Sequence, residues 1–224
     1  MNITRDIIPS GRNNRPGHSM EPQYLTIHDT GNTTTGADAK THSRYLKGQV
    51  AENVPVSWHF TVDESKIIQH LPLDENGWHA GDGAEGEGNR NSIGIEICEN
   101  KDGDRESAEI HAAQLVVFLI SEVTSLKPFP GCLKQHWDWT QKDCPAVLRR
   151  GEVHNWEEWM KLINDIKEEK ENVPEWKTEA IDYFANRDML HDPEDWKDRV
   201  NEPMPVWAAF IMLKRIHSEG EDNS

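Results

Sequence analysis

The chain has 224 residues, 35% hydrophobic and 29% charged, enough for one medium-sized domain plus a small appendage in a soluble, globular protein. Its 40 acidic and 24 basic residues give a net charge of −16, which argues against a nucleic-acid partner, since phosphate binding depends on clustered Lys and Arg. No stretch approaches the roughly 20 apolar residues of a membrane span, and "MNITRDIIPSGRNNRPGHS" has no signal-peptide core, so the expected location in the producing cell is cytoplasmic.

Along the chain, "YLTIHDT" alternates as a strand, with Leu25 and Ile27 on one face and Thr26, His28 and Thr30 on the other. Between Gly36 and Gly48, "ADAKTHSRYLKG" has the length and end residues of a short helix. "VSWHFTVDESKIIQHLP" predicts a hairpin turning at 63–65, with Trp58, Phe60 and Val62 on one face and His59 and Thr61 on the other. In "NSIGIEICEN", Ile93, Ile95 and Ile97 share one strand face, and Glu96 stands with Gly94 and Cys98 on the opposite one.

A helix follows over about 106–123, with Ile110, Ala113, Val117 and Ile120 as the stripe that covers the isoleucines. Another is predicted over 155–171, ending in "KEEKEN", which has the composition of a linker. Beyond it, "EWKTEAIDYFANRDMLHDPEDW" and "PMPVWAAFIMLKRIH" predict two short amphipathic helices, in a segment with too few residues to build an independent core. The fold class is therefore α/β, with a catalytic-sized domain over 1–170 and a linker and small helical module over 171–224.

The chemistry concentrates in "HWDWTQKDCP", where His136, Lys142 and Cys144 fall within ten residues. The odd count of three cysteines fits reduced thiols rather than a disulfide framework. Cys98 and Cys132 have the settings of packing and loop thiols. A thiol with a histidine elsewhere serves a cysteine nucleophile, a zinc site or neither. Zinc takes imidazole and thiolate tetrahedrally, with a catalytic site leaving the fourth position to water. His28, His136 and Cys144 can supply such a set, but eleven histidines offer many triples.

Five blocks in order, "YLTIHDTGN", "VSWHFTVDE", "WHAGDG", "GNRNSIGIEIC" and "HWDWTQKDCP", closely resemble the zinc-dependent N-acetylmuramoyl-L-alanine amidases of type 2. That family includes phage endolysins and bacillus cell-wall amidases and shares its fold with the peptidoglycan recognition proteins. The resemblance covers about 20–165. It implies a central mixed sheet flanked by helices, a zinc ion, and hydrolysis of the amide between N-acetylmuramic acid and the L-alanine of bacterial peptidoglycan, on the wall after release from the cell.

By the same resemblance the zinc ligands are His28, His136 and Cys144, Glu96 is the catalytic glutamate, and Lys142 is the cation that faces the reacting carbonyl. His59, Trp78, His79, Gly81 and Asp82 are the candidate substrate contacts. The sequence departs from the pattern at Trp58, where some relatives carry a catalytic tyrosine on the second strand, and at Asp29, where several have asparagine. The tail weakly resembles a surface-layer-homology-like helical unit, which implies wall attachment or self-association. Two other readings remain, a non-catalytic peptidoglycan-binding protein of the same fold and a cysteine peptidase built on Cys144 and His136.

Overall fold

The computed structural model describes residues 2–171, 175–187, 190, 192–198 and 200. The chain divides into two compact units, Met1–Ile166 and Lys167–Ser224. In chain order the first contains β1 (Ile3–Arg5), β2 (Tyr24–Asp29), α1 (Ala39–Leu46), α2 (Gln49–Glu52), β3 (Phe60–Val62), β4 (Ile67–Gln69), α3 (Glu87–Asn91), β5 (Ser92–Ile97), α4 (Arg105–Glu122), β6 (Leu133–Gln135), α5 (Trp137–Thr140) and α6 (Ala146–Arg150). Helix α7 (Trp156–Glu171) begins in that unit, and α8 (Glu175–Ala185) and α9 (Pro193–Asp198) belong to the second.

Six strands form one mixed sheet in the order β1-β4-β3-β5-β2-β6. The β3–β4 hairpin is its antiparallel pair; β5 lies parallel to both β3 and β2, and β2 parallel to β6. The hairpin closes through Asp63, whose carboxylate accepts from the N–H groups of Ser65 and Lys66 at 2.7 Å each. This is the α/β architecture that the sequence predicts.

Alternation decides which face is dry. Leu25, Ile27, Ile93, Ile95 and Ile97 are all 0% exposed, and burying each such side chain contributes about 1.5–3 kcal/mol. They pack under α4, which starts at Asp104, whose side chain accepts from the Ser107 N–H. The buried face of α4 is wider than the predicted stripe: Ala113 and Val117 are buried as expected and Ile110 and Ile120 are half-buried, while Ala112, Leu115, Val116 and Leu119 are fully buried beside them. The cause is α7, whose Trp159 and Ile163 join the same core, so α4 buries more than one face. The Trp159 indole N–H donates to the Glu109 carbonyl at 2.9 Å.

Trp58 does not share the Phe60 face. It lies before β3, packs with Ile8, Leu46 and Leu71 in a separate small core, and donates its indole N–H to Thr61 Oγ1 at 2.7 Å. The start of the charged run, Lys167–Glu171, is still helical as the end of α7. In the second unit, Lys197 pairs with Asp182 at 3.1 Å, joining α9 to α8. The helix expected at "PMPVWAAFIMLKRIH" lies outside the described residues. Among those described, no helix is long and apolar enough to cross a membrane.

Candidate active site

The parallel register of β2 and β5 sets His28 opposite Glu96, both on the face away from the isoleucine core. Strand β6 pairs with β2 and stops at Gln135, so the next residue, His136, arrives beside the end of β2 and donates its N–H to the Ile27 carbonyl at 3.2 Å. The chain then makes one short helix, turns through Gln141 at a left-handed φ of 59°, and returns so that the Cys144 carbonyl accepts from the Trp137 N–H at 3.0 Å. Trp139 ties this loop to the sheet, its indole N–H donating to Thr26 Oγ1 at 2.9 Å. The ten residues that look irregular in sequence are thus a pinned structure containing α5.

Three donor atoms converge as a result. His28 Nδ1 lies 3.0 Å from His136 Nδ1 and 3.8 Å from Cys144 Sγ, and the three residues offer one ligand atom each, all within 4.8 Å of one another. Zinc bonds of about 2.0 Å to nitrogen and 2.3 Å to sulfur put tetrahedral donor atoms roughly 3.3–3.7 Å apart. The spacing fits a single ion of that size.

The arrangement around the donors also fits. His28 Nε2 is 3.0 Å from His79 Nδ1, and His79 Nε2 is 3.2 Å from the Ser92 carbonyl. A carbonyl only accepts, so His79 donates through Nε2 and receives the His28 proton at Nδ1. The lone pair of His28 Nδ1 is left facing His136 and Cys144, as in metal sites whose ligand histidines are oriented by an outer partner. Gly94 makes room for this relay: a Cβ there would meet the His79 ring at 2.7 Å.

Burial holds His28 well below the ordinary imidazole value, and burial reinforced by Lys142 lowers His136 to about 4. Both rings are therefore in the neutral, ligating form. Burial pushes the Cys144 thiol up to about 12, the opposite of what a cysteine nucleophile needs. A dication is the partner that makes such a thiol a thiolate.

The donors open onto a cleft of about 620 Å³, which Glu96 and Lys142 also line. Glu96 Oε2 is shut off from water with no hydrogen-bond partner. Burial, then the charge of Asp29, raises its pKa well above the ordinary carboxylate value, with Lys142 opposing. Of the predicted substrate contacts, Trp78, His79 and Gly81 line the cleft, as does Trp58. His59 and Asp82 are absent from the lining. The His59 ring is held between the Glu75 carbonyl at 2.9 Å and the Gly94 N–H at 3.0 Å. The Asp82 carboxylate accepts from the N–H groups of Gly88 and Asn89 at 2.6 and 3.2 Å, bracing the loop before α3. Sequence reasoning missed the apolar wall of Pro55, Val56 and Ala84, which carries no motif, and the orienting role of His79.

Two imidazoles and a thiol converging beside the end of β2, with a carboxyl and a lysine in the same open cleft, define a metal-capable site on a mixed α/β fold. The chain belongs to the N-acetylmuramoyl-L-alanine amidase family, whose model matches residues 18–147. It is 48% identical over 166 residues to the N-acetylmuramoyl-L-alanine amidase CwlH of Bacillus subtilis (strain 168), covering 73% of this chain and 60% of that protein. It is 52% identical over 150 residues to XlyA of the same organism, covering 66% of this chain and 48% of that protein. The chain thus spans about half the length of the curated relatives it matches. Among solved structures, the catalytic domain of XlyA superposes with a TM-score of 0.66 at 48% identity, covering 73% of this chain and 99% of that one. PlyL gives 0.63 at 30% identity, covering 73% and 97%.

Proposed function

We propose that this chain is a zinc-dependent N-acetylmuramoyl-L-alanine amidase that cleaves the bond between the lactyl group of N-acetylmuramic acid and the L-alanine of peptidoglycan, acting at the bacterial cell wall. The observation that carries the reading is the convergence of His28, His136 and Cys144 to within 4.8 Å in a cleft that also holds Glu96 and Lys142. Membership of the family and the names of its relatives support the choice of bond.

Zinc bound by these three ligands supplies a Lewis acid and a water whose pKa falls to about 7. Glu96, on the cleft wall with a raised proton affinity, takes the proton from the attacking water and passes it to the leaving amine of L-alanine. Lys142 is the ammonium on the cleft wall, where it stabilises the negative charge that develops on the carbonyl oxygen; one such contact is worth about 3 kcal/mol in the transition state. His79 keeps His28 in its ligating tautomer, and Trp78 and Gly81 contact the muramyl-peptide. No side chain attacks the substrate, so no acyl-enzyme forms.

The test is metal analysis of the purified protein together with product analysis on purified walls. One zinc per chain and new L-alanine amino termini without new reducing sugar ends support the reading. Wall binding without release of amino groups points to the non-catalytic alternative. Activity that survives metal removal and is abolished by thiol alkylation points to a cysteine peptidase.

A further inference from the structure

Asp29, the last residue of β2 and the neighbour of His28, has a side chain only 4% exposed. Its N–H and both carboxylate oxygens are engaged. The backbone N–H is directed at Cys144 Sγ, 3.4 Å away. One carboxylate oxygen accepts from Arg105 Nη2 at 2.6 Å, and the other accepts from the Val147 N–H at 2.8 Å, three residues past the cysteine.

Arg105 is itself fixed. It donates to the carbonyls of Ile97 and Cys98 at 3.2 and 3.0 Å and to Glu109 at 2.8 Å. Glu109, fully buried, also accepts from His154 Nδ1 at 2.8 Å. The guanidinium is thus tied to the end of β5 and to α4, and a forked donor held this way admits a single orientation of the acid it pairs with.

We propose that Asp29 is a positioning residue for the metal centre, gripping Val147 and Arg105 so that Cys144 Sγ is held at the ligand point against the Asp29 N–H. The hydrogen bond takes up part of the charge of a thiolate ligand. Arg105 offsets the carboxylate, which would otherwise repel that thiolate across a short distance. Outer partners of this kind typically change metal affinity by about 10–100-fold when removed. An ion pair that only stabilised the core would lower the melting temperature but leave the metal–sulfur bond alone.

The inference rests on the metal reading above, and the experiment separates the two. Full-chain parent, Asp29→Ala and Asp29→Asn are titrated with zinc against a competing chelator. Each is also loaded with cobalt(II), whose sulfur-to-metal charge-transfer band reports the bond to Cys144. Asp29→Ala is expected to lose about 10–100-fold in zinc affinity, with a shifted or weakened band. Asp29→Asn, which offers one oxygen to two donors, falls between it and the parent. If Asp29→Ala does not fold, Asp29→Asn alone decides. Parental zinc affinity with an unshifted band in a soluble variant overturns the inference. A parent that binds no zinc overturns the metal reading and this inference with it.

Discussion

Glu96→Gln keeps the shape of the side chain and removes its capacity to accept a proton. The carboxylate oxygen Oε2 is buried without a partner, and burial followed by the Asp29 charge raises its pKa, so in the protein without metal this group is a destabilising charge. Loss of a general base lowers kcat by about 10²–10⁴-fold. A carboxyl whose pKa is raised by folding costs stability at any pH where the unfolded chain ionises it, and the neutral glutamine amide does not carry that cost. The chelated variant should therefore melt above the chelated parent, by about 2–4 °C for each kcal/mol of that cost. The three readings are release of amino groups from purified walls, bound zinc, and melting after chelation. The expected result is an inactive variant with one zinc per chain and a raised melting temperature. Loss of zinc would make Glu96 a ligand; turnover near that of the parent would give the proton transfer to another group; a lowered melting temperature would refute the assignment of an uncompensated charge.

Chelation of the parent should lower its melting temperature, because metal that binds only the folded chain adds about 4 kcal/mol of stability at 1,000 times its Kd; Cys144→Ser should melt like the chelated parent, and equal melting with and without zinc refutes the coupling. His59, held neutral by burial down to a pKa of about 4, takes up its proton near pH 6.5 once unfolded. Between those values the unfolded chain binds more protons, so the contribution of His59 is fully present above pH 6.5 and is lost, by about 3 kcal/mol, as pH falls toward 4. Urea unfolding at pH 7 and pH 5 should show this slope, and a His59→Gln variant that keeps the full slope would assign it to other groups. Removal of residues 173–224, where acidic residues outnumber basic ones by 12 to 6, should leave zinc binding and hydrolysis of a small muramyl-peptide intact while lowering wall binding or oligomer size. Unchanged wall pull-down and unchanged sedimentation would sink that assignment.

Alternation was enough to identify the dry face of the sheet, whereas residue type left many histidine triples open and only the resemblance of the five ordered blocks singled out His28, His136 and Cys144. Leu25, Ile27 and the three isoleucines of β5 carry a period of two within one strand, and His28, His136, Cys144 and Glu96 belong to ordered motifs; both signals are local. Strands β1 and β6, three residues each, are too short to carry a period and, unlike the equally short β3 and β4, have no hairpin turn beside them to mark them. The full width of the buried face of α4 depended on a second helix packing across it. His59 and His79 look alike in sequence, yet one ring is held between two backbone groups outside the cleft while the other lines the cleft and hydrogen-bonds His28, a difference made by neighbours distant in the chain. What the sequence determined by itself is the chemistry available, because donor types and strand faces are written residue by residue. What only the tertiary structure decided is how that chemistry is aimed: the β2–β5 register that sets His28 opposite Glu96, the His79 relay, and the Asp29–Arg105 grip on the cysteine loop. Each of these joins groups far apart in sequence, and their angles and distances exist only once the chain has closed on its core.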